Sequence, residues 1–242
     1  MFFEPLDQFE IIFLGYFQSF PLTNMFLYLL FIYYTVKFFF RGYLNTLRLS
    51  PFGGQALLEI IYSFVFSLIK QNIGKKGFPY FPLIFTLFIF ILFSNLLGMA
   101  FYSFTVTSHL IITFTLSFSM FIGVLIIGII IQKKHFIDTF IPSGAPKALL
   151  PFLVVIEFIS YVSKPFSLGI RLFANMMSGH SLLSILGNFS LFVIKKSWLI
   201  ALIPLGLITL IIGLEVMIAG LQAYVFVVLV CIYLSDSIHG AH

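Results

Sequence analysis

Two apolar stretches, Leu149 to about Leu186 and Trp198 to Leu234, each run to nearly forty residues with no polar turn inside them. At about 1.5 Å of rise per residue each would make roughly 55 Å of helix, whereas the hydrocarbon core of a bilayer is about 30 Å thick. Either each folds into a re-entrant pair, or each is one strongly tilted helix. The missing polar turn favours tilt, with Pro165, Gly169, Gly179, Pro204, Gly206, Gly213 and Gly220 as places to bend. The expectation is two long, tilted, antiparallel helices at the C-terminal end.

The rest of the chain agrees with a lipid solvent. Of its 242 residues 61% are hydrophobic and 9% charged, where a soluble domain has about a quarter charged. Backbone polar groups inside lipid must be paired internally, and the apolar runs lack the period-2 alternation of a barrel strand. The fold class is therefore an all-α integral membrane protein, read as one membrane domain over residues 1–242. A single cysteine, Cys231, excludes an internal disulfide, and the five histidines show no metal-ligand spacing with it. No metal or other cofactor is expected. The N-terminal run MFFEPLDQFEIIFLGYF carries acids where a secretory signal would be basic, so no cleavable segment is expected.

Runs of about 20 apolar residues mark the remaining spans. The first is Leu22 to Phe40, opened by Pro21 and closed by Arg41 and Gly42. Residues 55–70 place Leu58, Ile61, Tyr62, Val65 and Ile69 on one stripe but are short and charged at the ends, which reads as an interfacial helix. Residues 79–132 hold two ordinary spans, Pro79 to Met99 and His109 to Gln132, joined by the polar turn YSFTVTSH as a helical hairpin. With residues 149–186 and 198–234 the total is about five spans. Lys37, Arg41, Arg48, Lys70, Lys75, Lys76, Lys133, Lys134 and Lys147 then fall on one side, and Lys195 and Lys196 on the other. The basic side faces inward, which puts the N-terminus outside and the C-terminus inside.

Charges within the long stretches follow a pattern. Glu157, Lys164, Arg171 and Ser178 recur every seven residues, a step that drifts only about 20° and keeps them on one helix face. Glu215, Gln222 and Asp236 fall on a similar register in the second stretch, with Leu229 in the remaining place. A charge at mid-bilayer costs roughly 2.5–3.5 kcal/mol, so such residues face a partner or a water-filled path. Arg171 cannot carry protons itself, since its pKa lies above about 12; it can hold a fixed positive charge beside groups that do. If Arg171 and Gln222 share a depth, rise per residue puts His180 about 13 Å and Glu215 about 10 Å outward, and Glu157 and Asp236 about 21 Å inward. His180 lies about 900° from Arg171, on the opposite face.

Each residue has a structural alternative. Arg171 could form a salt bridge with Glu157 or Glu215, and His180 a helix-packing hydrogen bond. Gln222 and Asn175 could be interhelical hydrogen bonders, and Lys164 and Asp236 interfacial and solvated. No internal repeat is evident, which counts against a stand-alone cation transporter or channel, the main rival reading.

The string SKPFSLGIRLFANMMSGH, followed some forty residues later by EVMIAGLQAYVFVVL and YLSD, resembles subunit a of F-type ATP synthases. The resemblance extends to PLDQFEI, FPLIFTLFIFILFSNLLGM and PSGAPKALLPFLVVIE, and so covers nearly the whole chain. It implies a non-catalytic, proton-conducting stator subunit with two offset half-channels, in which Arg171 is the essential arginine facing the c-ring and Gln222 lies close to it. His180 and Glu215, exchanged relative to bacterial members, look like the mitochondrial version of the outer pair. Asn175, Glu157 and Asp236 complete the proton-translocation set. Gly98 stands where many bacterial members have an acid, which weakens an access role there and leaves Asn95 as a lesser candidate. The implied partners are the c-ring, peripheral-stalk and other membrane subunits of the complex, the lipid bilayer and protons, with no nucleic acid. The implied location is the mitochondrial inner membrane, with the N-terminus in the intermembrane space and the C-terminus in the matrix.

Overall fold

The computed structural model describes residues 9–17, 20–44, 53–99, 104–133, 150–196 and 198–239. Arg48, Lys134 and Lys147, used above to orient the chain, lie outside the described residues, as do residues 5–8 and 142–149 of the quoted motifs.

An antiparallel hairpin comes first, which the all-α expectation did not include. In it β1 (Phe13–Phe17) pairs with β2 (Phe20–Thr23), with an irregularity between Phe13 and Gly15. Pro21 has no N–H to give to a ladder and is tolerated on an edge strand, and in a two-stranded sheet every strand is an edge. The hairpin leads directly into α1 (Asn24–Leu44). Thr23 Oγ1 accepts the Phe26 N–H at 3.4 Å, and Asn24 Oδ1 accepts the Met25 N–H at 2.8 Å. The Asn24 amide also donates to the Glu10 carbonyl at 2.9 Å. These side chains satisfy N–H groups at the helix start that have no intrahelical partner, so α1 begins at Asn24 rather than Leu22. It runs on past Phe40, because neither Arg41 nor Gly42 stops it.

The expected interfacial segment forms α2 (Gly54–Asn72). Of its stripe, Val65 and Ile69 are buried while Tyr62 is exposed. Gly74, at φ 78, stops α2 in the left-handed region where glycine is favoured. A 3-10 stretch, Gly74–Tyr80, leads into α3 (Phe81–Gly98). A short 3-10 turn at Val106–Ser108 precedes α4 (Leu110–Gln132).

The two long stretches are single unbroken helices, α5 (Leu150–Lys196) and α6 (Trp198–His239). Helix α5 continues ten residues beyond Leu186. An internal glycine costs about 1 kcal/mol relative to alanine, and Gly187 is not enough to end a helix followed by the helix-compatible run SLFVI. Helix α6 likewise extends five residues past Leu234. Four helical segments are long and apolar enough to cross a membrane by length and composition, at 74–98, 110–132, 152–196 and 201–238. Helix α1, which carries Asn24, several tyrosines, Lys37 and Arg41, is not among them.

Two compact units divide the chain. Unit 1 gathers residues 1–42, 89–112 and 171–223; unit 2 gathers 43–88, 113–170 and 224–242. Unit 1 contains a core of Ile32, Phe104 and Val106, against which Met25, Tyr28, Leu29 and Phe93 pack. Buried side chains of unit 2 include Val65, Ile69, Ile84, Phe226 and Val227.

Candidate functional site

In unit 1, α5 and α6 run antiparallel. The Asn175 side-chain amide donates to Gln222 Oε1 at 2.9 Å, while four residues further along α5 a Cβ on Gly179 would lie 2.9 Å from the Cδ of Glu215. The partner on α6 falls in number as α5 rises. The depth arithmetic took Arg171 and Gln222 as level; the residue bonded to Gln222 is Asn175, one turn or about 6 Å further along α5. Two side-chain amides can each offer what the other needs, and Arg171 is left free of Gln222.

The shift brings Glu215 beside Gly179 and His180. Both Glu215 and His180 line one cavity of about 310 Å³, together with Asn175 and Met99. That volume is far above the ~10–15 Å³ that a single water requires. His180 is 9% exposed, Glu215 6% and Gln222 4%. His180 Nε2, both carboxylate oxygens of Glu215 and the Gln222 amide nitrogen have no hydrogen-bond partner among the described residues. A buried polar group without a partner costs about 1–3 kcal/mol, so this wall of unit 1 carries an unmet demand for hydrogen bonds. Phe9 sets its ring edge-on to the His180 imidazole at 6.3 Å.

Arg171 lies on the other side of α5 from His180 and is exposed. Among the described residues the one ion pair is Lys164–Asp236, so the salt-bridge alternative for Arg171 is not realised there. Of the sevenfold stripe, Glu157, Arg171 and Ser178 are all exposed.

Unit 2 holds the other titratable candidates. Lys164 Nζ stands 3.8 Å from Asp236 Oδ2, and 5.3 Å and 4.9 Å from the ring centroids of Tyr161 and Tyr233. The Gln132 amide donates to the backbone carbonyls of Asp236 at 3.1 Å and Ser237 at 2.7 Å, and Ser117 Oγ donates to the Pro165 carbonyl at 2.6 Å. Lys164 and Asp236, whose alternative reading was solvation, are thus partners of each other. Glu157 is brought to neither of these clusters.

Asn95, a lesser candidate in the sequence, is one of several buried polar groups in unit 1. Asn95 is fully buried; its amide donates to the Ala219 carbonyl at 3.4 Å while its oxygen has no partner among the described residues. Ser94, Thr107 and His109 also bury atoms with no partner among the described residues, and Thr105 bonds Ser108 across the turn before α4. His109 lies against Phe104 at 4.8 Å, and burial pushes its imidazole below its ordinary range. The available signal was a polar residue inside an apolar run, as in FSNLLGM.

The sequence that builds this arrangement has known relatives. A family profile described as ATP synthase A chain matches residues 22–235. The chain belongs to the ATP synthase subunit a family. Subunit a of Chondrus crispus is 47% identical over 242 residues, covering 96% of this chain and 95% of the relative. That of Acanthamoeba castellanii is 45% identical over 249 residues and covers all of both chains. Subunit a of Pelagibacter ubique is 47% identical over 195 residues, covering 80% of this chain and 78% of the relative. Membership in the subunit a family makes this a multi-pass membrane protein of ATP synthesis and proton transport.

Proposed function

We propose that the chain is the proton-conducting stator subunit of a rotary F-type ATP synthase, with two offset half-channels kept apart by Arg171. One observation carries this reading: α5 bears an exposed guanidinium with no counter-ion among the described residues, while its opposite side buries His180 against the same cavity as Glu215. A permanent cation cannot relay protons. It can keep a carboxylate ionised as that carboxylate passes, which suits a helix face swept by a c-ring. In this reading protons enter from the outer side past His180 and Glu215, with Asn175 and Gln222 beside the arginine. They leave after nearly a full rotation by an inner route past Glu157 and Asp236. A potential of 100 mV supplies about 2.3 kcal/mol for each charge moved across it.

The rotor carboxylate and the nucleotide chemistry belong to other chains, so this subunit makes and breaks no covalent bond of its own. Its partners are the c-ring, the peripheral stalk and other membrane subunits of the complex. With α1 counted as a fifth span and the long helices tilted, the basic side faces the matrix of the mitochondrial inner membrane. The N-terminus then lies in the intermembrane space and the C-terminus in the matrix.

The test is Arg171→Ala in membrane vesicles with assembly of the complex verified. ATP-driven proton pumping is expected to be lost, with passive proton conduction retained or raised. Normal pumping in the assembled variant overturns the stator role.

A further inference from the structure

Gly179 stands where α5 meets the carboxylate of α6. A methyl group there would fall 2.9 Å from Glu215 Cδ and 3.2 Å from its Cγ, and closer still to Oε1. Real Cβ contacts essentially never come under 3.0 Å, so the carboxylate, at the far end of a flexible side chain, would have to shift. By contrast, a Cβ at Gly206, Gly213 or Gly220 of α6 would meet nothing within 4 Å. Gly77 and Gly98 are approached as closely, but by the side chains of Ile69 and Thr105; at Gly179 the neighbour is a titratable group.

We propose that Gly179 is a positioning residue: its missing side chain seats the Glu215 carboxylate against the α5 backbone, inside the cavity that His180 also lines. The inference rests on the reading of Glu215 as a proton-path group. Glu215 finds no hydrogen-bond partner among the described residues, so no hydrogen bond to any of them fixes its side chain. Its position is set by the space Gly179 leaves. Filling that space displaces the carboxylate towards the cavity interior and changes its distance from His180. The effect does not act through helix stability, because alanine is the better helix former of the two.

Pumping in vesicles, normalised to assembled complex, tests this with four variants. Gly179→Ala is expected to slow ATP-driven pumping by about tenfold or more, as a displacement of ~1 Å can for a positioned group. Glu215→Asp, one methylene shorter, falls short of the seat and is slow alone. Their combination is expected to pump faster than either single variant, a non-additivity that marks direct contact. Should Gly179→Ala fail to assemble, recovered assembly in the combination is read the same way. A slow Gly179→Ala with no recovery in the combination overturns the proposal. So does normal pumping in Gly179→Ala while Glu215→Gln is inactive, which leaves the proton-path reading standing. Normal pumping in Glu215→Gln removes both.

Discussion

The two units treat buried polarity in opposite ways. In unit 1, His180, Glu215, Gln222 and Asn95 bury atoms with no partner among the described residues, and the first two line a cavity of about 310 Å³. In unit 2, Lys164 and Asp236 hold each other, two tyrosine rings flank the lysine, and Gln132 caps two carbonyls. A cavity there, lined by Ser117, Pro165 and Tyr233, is about 10 Å³, at the lower limit for a single water. Satisfied polar groups hold a structure in one arrangement. Unsatisfied ones, costing about 1–3 kcal/mol each, persist where something other than stability keeps them. The difference is between a region that leaves buried polar groups to a cavity and one that pairs its polar groups with each other.

That contrast is open to breaking. The largest effect is expected from Glu215→Gln, which keeps the shape but removes the titratable group. General acid–base groups contribute about 10²–10⁴-fold, so pumping should fall by at least about 100-fold with assembly unchanged; a variant that pumps normally erases the distinction between the units. Asp236→Asn should do less. A partly exposed ion pair contributes about 0.2–1 kcal/mol, so a proton-pumping assay is expected to show a loss of less than tenfold. A loss as deep as that of Glu215→Gln would place unit 2 in the same class as unit 1.

Gln132→Leu removes two donations to the end of α6 and should lower stability by about 1 kcal/mol, read as a fall in the thermal midpoint of the purified complex. The smallest effect concerns acid. Burial lowers the His109 pKa from 6.5 in the folded protein, so the unfolded chain binds this proton first. Its contribution to stability is full above about pH 6.5 and is lost as pH falls below that value. His109→Phe should therefore lessen the drop in thermal midpoint between about pH 7.5 and 5.5; an unchanged slope counts against the buried imidazole as its source.

Much of the helical order was legible because long apolar runs admit few solutions in lipid. What the residues did not disclose depends on local caps and on register. The start of α1 is set by Thr23 and Asn24, whose hydrogen bonds outweigh the apolar character of Leu22, and the preceding hairpin has no strong turn signal. The sevenfold stripe found the residues that line α5, yet a stripe fixes a face and not a depth. Which residue of α6 stands opposite Arg171 depends on the Asn175–Gln222 pair. Gly179 could be read from the sequence as a place to bend; only the approach of Glu215 shows it as a place to make room. Asn95 could be read only as a lesser candidate, because its contact with Ala219 joins positions 124 residues apart.

Lys164 resting between two tyrosine rings has a mechanical meaning. A lysine held only by a carboxylate swings away once that carboxylate is neutralised, and its long stem then samples many rotamers. Here the ring faces attract the ammonium whether or not Asp236 is charged. The cation is thus a fixed post, held in place even if its carboxylate neighbour were removed.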